Sequence, residues 1–185
     1  MAHPRILDLE NTVLLVIDIQ EAFRKVISGF TEMVSRTSIA VQAFAILERP
    51  IIVTEQYPKG LGRTVEEVLL SLPDDAGIFE KTAFSSCGAT SFIERLSAAG
   101  SRQVVVCGLE THVCVNQTVH DLLGRGYQVH VLTDAVGSRF ERDRETGLEK
   151  MFGSGAVPSS VEMALFEMMR DAKYPRFKEV QDLLR

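Results

Sequence analysis

Three residues in this chain have the chemistry of a base, an acid partner and a nucleophile, and each stands just past an apolar run. Asp18 follows Val13-Leu14-Leu15-Val16-Ile17, Lys81 comes in Glu80-Lys81-Thr82 after the short pair Ile78-Phe79, and Cys114 lies beyond Val104–Cys107 in Gly108-Leu109-Glu110-Thr111-His112-Val113-Cys114. A charge at the tip of a buried strand is costly unless it meets an opposite one. Asp18 and Lys81 are candidates to meet each other, as a plain internal salt bridge or as part of a site. Cys114 falls where a helix starts after a strand and a glycine-containing loop. Free N–H groups and the helix dipole favour an anion there, so the expectation is a thiol with a lowered pKa. The same N–H groups suit a tetrahedral oxyanion. Asp18 serves as the base if the first and fourth strands are neighbours. Lys81 then holds the thiolate, steadies the substrate or keeps Asp18 in its working protonation state.

Competing chemistries are poorly supplied. His112 is two residues before Cys114 and His120 six beyond it, His130 lies inside an apolar run and His3 near the start, so no Cys–His pair is evident. No H-x-H or H-E-x-x-H cluster is present to hold a metal. Cys107 inside a run and Cys87 beside a glycine read as small buried hydrophobes. Gly60-Leu61-Gly62 and Gly124-Arg125-Gly126 lack the strand-to-helix context and downstream Lys-Ser/Thr of a phosphate loop, and read as turns.

The elements that must position these groups are legible as runs and periods. Thr12–Ile19, Ile51–Glu55, Val104–Cys107 and Tyr127–Leu132 are apolar at nearly every position, the pattern of strands covered on both faces. Helical spacing joins Val34, Ile39, Ala43, Ile46 and Leu47, then Phe92, Ile93, Leu96 and Ala99, then Val115, Val119, Leu122 and Leu123. A charged helix covers Glu141 to Met151. A turn, a short strand and a helix N-terminus follow in 153–160, with a capping box from Ser159 to Glu162. The last apolar helix, Val161 to Met169, carries a methionine stripe that reads as core filler and offers one face for self-association. The alternation implies a doubly wound α/β sheet, whose ligands sit beyond the carboxyl ends of the strands.

Composition narrows the partners. With 20 basic and 25 acidic residues the formal net charge is -5 over 185 residues, and no basic cluster invites nucleic acid or an anionic membrane. No apolar run approaches the roughly 20 residues of a membrane span, and the start of the chain makes a poor signal peptide. Three cysteines without metal-like spacing suggest free thiols in the cytoplasm. Without a linker or repeat, residues 1–185 read as one domain.

Asp18-Ile19-Gln20 with Phe23, Glu80-Lys81-Thr82, and Gly108-Leu109-Glu110-Thr111-His112-Val113-Cys114-Val115 together resemble the isochorismatase-like cysteine hydrolases. Thr54–Gly62, Val129-His130-Val131 and Phe177–Leu184 are similar to the isochorismatase domain-containing protein 2 subgroup. The resemblance implies a three-layer α/β/α fold with a six-stranded parallel sheet and a triad of Asp18 as base, Lys81, and Cys114 as nucleophile. It also implies a cis peptide between Leu109 and Glu110 that turns the Glu110 N–H toward an oxyanion beside the Cys114 N–H. The implied reaction is attack of Cys114 on a small amide-like C–N substrate through a thioester, with no cofactor. Gln20, Phe23, Gln56 and Tyr57 are candidates for the pocket wall, or plain packing. The stretch Glu55-Gln56-Tyr57-Pro58 lacks the histidines that bind metal in related nicotinamidases, so no metal is expected. The remaining alternatives are a silent scaffold of the same fold and hydrolysis of a vinyl ether. The resemblance also implies a homo-oligomer, dimer or tetramer.

Overall fold

The computed structural model describes His3 and residues 5–185. Six strands form one parallel sheet: β1 Thr12–Ile17, β2 Ile51–Gln56, β3 Gly77–Lys81, β4 Gln103–Leu109, β5 Gln128–Gly137 and β6 Val157–Ser159. Their order across the sheet is β3-β2-β1-β4-β5-β6, so the chain winds outward from β1 in one direction and from β4 in the other. The winding reverses between β1 and β4, where open α/β sheets leave a crevice at their carboxyl ends.

The unbroken apolar runs have their physical reason in the two layers of helix. Every residue of β1 and of β4 is buried. Leu14 and Val16 face a cluster shared with helix α1 (Phe30–Ile46) and with two helices near the end of the chain. Val13, Leu15 and Ile17 face the other cluster, which gathers Phe92 and Leu96, Val119 and Leu122, and Leu148 and Met151. The helices between β2 and β3 are single turns, α2 Pro58–Leu61 and α3 Glu66–Leu69. The layer on the second face consists of α4 Thr90–Ala98, α5 Asn116–Gly124 and α6 Glu141–Gly153. The chain closes with α7 Val161–Met169 and α8 Phe177–Leu183. No helix among the described residues is long and apolar enough to cross a membrane.

Several sequence expectations are corrected in detail. β1 stops at Ile17 because Asp18 adopts φ 52°, which turns the chain out of the sheet. β5 runs past Asp134 to Gly137, with a register shift against β4 between Val106 and Gly108. Asp134, just past the apolar run Tyr127–Leu132, therefore lies inside the strand; it pairs with Arg36 at 2.9 Å and accepts from the Val161 N–H at 3.0 Å. The cap of α7 is Ser160, whose Oγ accepts from the Met163 N–H at 3.3 Å, instead of Ser159. In α7 Val161, Ala164, Leu165, Met168 and Met169 are buried in the core, while Met163 is about half exposed.

At Gly108 the two central strands leave no room for a side chain. It is paired with Ile17, has φ 128°, and a Cβ built on it would lie 2.0 Å from the Ile17 carbonyl oxygen. Backbone cannot retreat as a flexible side chain can, and an L residue is strained at that φ. Gly108→Ala is expected to cost about 3 kcal/mol or more, seen as a large fall in the urea midpoint. A midpoint equal to the parent's would refute the close approach.

His130 sits in β5 between Val105 of β4 and Val157 of β6, fully buried, and neither ring nitrogen has a partner among the described residues. Burial pushes its pKa down to about 4 from 6.5. The unfolded chain therefore binds a proton near pH 6.5 that the folded one refuses until about pH 4. Stability from this group is complete above pH 6.5 and falls by about 3 kcal/mol as pH drops through that window. His130→Leu is expected to flatten the dependence without loss at pH 7, measured by urea unfolding at several pH values. An unchanged slope between pH 4 and 6.5 would count against it.

Candidate active site

The three chemical residues meet at the carboxyl edge of the sheet. Asp18 leaves the end of β1, Lys81 ends β3, and Cys114 lies in a π-helical turn, Thr111–Val115, that follows β4 and runs into α5. β3 is two strands from β1, a distance of roughly 10 Å at normal strand spacing, so only a long side chain reaches back across β2. Lys81 does so: its Nζ donates to Asp18 Oδ2 at 2.6 Å. The ammonium is held further by Gln56 Oε1 at 2.8 Å and the carbonyls of Phe84 at 2.9 Å and Ala83 at 3.3 Å. Asp18 Oδ1 accepts from Thr54 Oγ1 at 2.8 Å, and its backbone N–H donates to the Thr54 carbonyl at 3.0 Å. Both charged side chains are only 1% exposed. A pair so buried is costly to desolvate and is tolerated when its remaining hydrogen-bond capacity is filled, as it is here.

Burial raises the Asp18 pKa, opposed by the charge and hydrogen bond of Lys81 and by the hydrogen bonds of Thr54 and Cys114. The Cys114 thiol departs from the sequence expectation. Burial first, then the Asp18 charge, push its pKa up to about 12 against the opposing pull of Lys81. The helix-start argument omitted two things, the 7% exposure of Cys114 and a carboxylate facing it. A thiol so placed rests as S–H beside a carboxylate of raised basicity, which is the arrangement for deprotonation during attack.

The walls are fixed by groups the sequence left uncertain. Gln20 is fully buried and acts as a brace: its Nε2 donates to the carbonyls of Gln56 at 3.0 Å and Gly62 at 2.7 Å, and its Oε1 accepts from the Gln56 N–H at 2.8 Å. Phe23 packs on the α1-side core. Gln56 holds Lys81 with its Oε1 and donates from Nε2 to the Thr82 carbonyl at 2.8 Å. Tyr57, half exposed, lines a cleft of about 410 Å³ with Pro58, Lys59, Lys81, Thr82 and Ala83. Neither Asp18 nor Cys114 lines that cleft, which meets the site only at Lys81. Glu55 is also buried; its Oε1 accepts from Thr64 N–H and Oγ1, and its Oε2 from Arg63.

The Leu109–Glu110 peptide is cis. The Glu110 carboxylate accepts from the backbone N–H and Nε of Arg139, at 3.1 and 3.0 Å, and Thr111 Oγ1 donates to the Gly137 carbonyl at 2.9 Å. Gly147 of α6 packs on this turn so closely that a Cβ would lie 3.1 Å from His112 Cα and from the Thr111 carbonyl oxygen. His112 bonds Ser138, and His120 bonds the Asn116 carbonyl and Ser154, so neither is in place to serve the thiol. All three cysteines are free. Among the described residues no group of three His, Cys, Asp or Glu is gathered for a metal. Sequence reasoning missed Thr54, Ser86 and Thr118, buried hydroxyls behind Asp18. Only Thr54, at the end of an apolar run, gave any signal.

Known proteins share this arrangement of elements. The Isochorismatase domain matches residues 12–163. Isochorismatase domain-containing protein 2 of Xenopus laevis is 44% identical over 174 residues, 94% of this chain and 83% of that protein. The secreted isochorismatase effector Isc1 of Phytophthora sojae is 40% identical over 180 residues, 95% of this chain and 85% of that one. Among solved structures, the MAR1 ribonuclease from Caenorhabditis elegans is 40% identical with a TM-score of 0.93, covering 97% of this chain and 92% of its own. With the matched span running from β1 into α7, the chain belongs to the isochorismatase domain family.

Proposed function

We propose that this protein is a metal-independent cysteine hydrolase of small amide-like C–N substrates, with Cys114 as nucleophile, Asp18 as base and Lys81 assisting. The observation that carries the proposal is the convergence of a buried carboxylate, ammonium and thiol at the point where the sheet reverses its winding. Asp18 takes the thiol proton as Sγ bonds the carbonyl carbon. The resulting oxyanion accepts from the N–H groups of Glu110 and Cys114. The Glu110 N–H supports that role, since it has no acceptor among the described residues. The proton passes to the leaving nitrogen, the C–N bond breaks and an amine departs from a Cys114 thioester. A water then gives its proton to Asp18 and attacks the thioester; the thiolate leaves and recovers that proton.

Lys81 keeps Asp18 charged and oriented. Gln56 supports it, and Tyr57 borders the approach; Gln20 and Phe23 act behind the wall. Exposed Tyr57, Phe84 and Phe140 follow β2, β3 and β5 at the same edge. We keep homo-oligomerisation in the proposal, to be tested by sedimentation velocity, where a lone monomer at all concentrations refutes it.

The ribonuclease name of the C. elegans protein belongs to that protein. Here a net charge of -5 and a site whose three groups are each under 10% exposed suit a small molecule better than an RNA backbone. The test is a panel of small primary amides, ureas, esters, a vinyl ether such as isochorismate, and single-stranded RNA. Turnover of C–N substrates is expected, with an acid limb above the ordinary carboxylate range because burial raises Asp18. Pyruvate release from isochorismate or RNA cleavage, with the amides untouched, would overturn it.

A further inference from the structure

Behind Asp18 lies a line of hydroxyls that the reaction above does not use. Thr54 Oγ1 donates to Asp18 Oδ1 at 2.8 Å, and its oxygen lies 3.4 Å from Ser86 Oγ. Ser86 Oγ accepts from Thr118 Oγ1 at 3.3 Å, and Thr118 Oγ1 accepts from the Ser86 N–H at 2.9 Å. Thr54, Ser86 and Thr118 are all fully buried. They come from β2, the loop after β3 and α5, so three separate segments line up behind one carboxylate.

The order of donors is fixed by the ends. An ionised carboxylate only accepts, so the single Thr54 proton must point at Asp18, and Thr54 can then only accept from Ser86. Ser86 gives its proton to Thr54 and takes one from Thr118. At the far end the Ser86 N–H, which cannot accept, faces the Thr118 oxygen. Reversal would need an acceptor for the Thr118 proton other than Ser86, and none is found among the described residues. Thr118 is also four residues beyond Cys114 on the same continuous helical segment. The line therefore ties the segment that carries the thiol to the base that faces it.

We infer that Thr54, Ser86 and Thr118 form a one-way chain of hydroxyl donors that keeps Asp18 ionised and fixes its orientation toward Cys114, making them positioning residues for the base. The inference rests on the proposed role of Asp18, but its hold on the Asp18 charge is measurable without turnover.

The experiment titrates Asp18 by carbon NMR in full-length protein labelled at the aspartate carboxyl, assigned with Asp18→Asn. Thr54→Val removes the donor at constant shape and is expected to raise the Asp18 midpoint by about one unit. Thr54→Ser keeps the donor and should restore the parent value. Ser86→Ala, which leaves Thr54 without its own donor, should move the midpoint the same way by less, and stands in if Thr54→Val does not fold. A folded Thr54→Val or Ser86→Ala protein with an unmoved midpoint overturns the chain. An inactive parent with the predicted shift would sink the hydrolase reading and leave the chain standing. Active parent, dead Cys114→Ala and no shift would sink the chain alone.

Discussion

Cys114→Ala is expected to lower kcat/KM for the best C–N substrate of the panel by about 10⁴-fold or more, with little change in the urea midpoint. The size follows from what is removed. The thiol faces both Asp18 and Lys81, and in the proposed mechanism the covalent intermediate goes with it. What survives is binding and the oxyanion donors, which act on a water that Asp18 activates poorly without the intermediate. Stability should hold, because a single small atom is deleted and Asp18 keeps its bonds to Lys81 and Thr54. The contrast with the other two thiols makes the experiment specific. Cys87→Ala should keep parental turnover, since that thiol lies outside the contacts of Asp18 and Lys81. Cys107→Ala should also turn over normally while losing some stability, because Cys107 is fully buried in the α1-side core.

Lys81→Met is expected to lose both stability and activity. It keeps the length of the stem while removing the charge that Asp18 Oδ2 meets at 2.6 Å. Breaking a buried pair by taking one partner costs about 3–5 kcal/mol, since the other charge is left unpaired. Asp18 escapes part of that cost by binding a proton. Its pKa is already raised by burial, and loss of Lys81 removes the largest opposing influence. A protonated Asp18 is no base, so turnover at neutral pH should fall at least about 100-fold. The acid limb should move to higher pH in whatever activity remains. The double variant Asp18→Asn with Lys81→Met removes both charges and should recover much of the stability but none of the activity. Urea unfolding and pH profiles of the parent and the two variants read this out. A single Lys81→Met variant as stable as its parent would show that Asp18 does not depend on the pair.

The fold was legible because its central strands obey one constraint. Runs such as Val13–Ile17 and Val104–Cys107 are apolar without alternation, and only a parallel sheet covered on both faces uses such runs. The positions of Asp18, Lys81 and Cys114 were legible for the same reason, as polar residues just past those runs. Direction of titration was not legible at Cys114. A helix start lowers a thiol pKa only if the thiol is hydrated, and local sequence does not report that the thiol is buried or that Asp18 faces it. Gln20 was left open between pocket wall and packing for a related reason: an amide at a strand end suits either, and here it is a buried brace on the Gly62 carbonyl. The cap of α7 slipped by one residue because Ser159 and Ser160 are both good caps, and Ser159 is consumed as the last residue of β6. Ser86 and Thr118 were invisible, since nothing local brings a loop serine and a helical threonine, 32 residues apart in sequence, together behind one carboxylate.

The most direct test of the nucleophile is rapid acid quenching of the parent protein during turnover of its fastest amide or ester, followed by mass spectrometry of the peptides. Cys114 should carry the acyl group of the substrate, cleared by hydroxylamine, while Cys87 and Cys107 stay unmodified and Asp18→Asn shows no adduct. Steady turnover with Cys114 unmodified at every quench time, and retained in Cys114→Ala, would contradict a thioester mechanism.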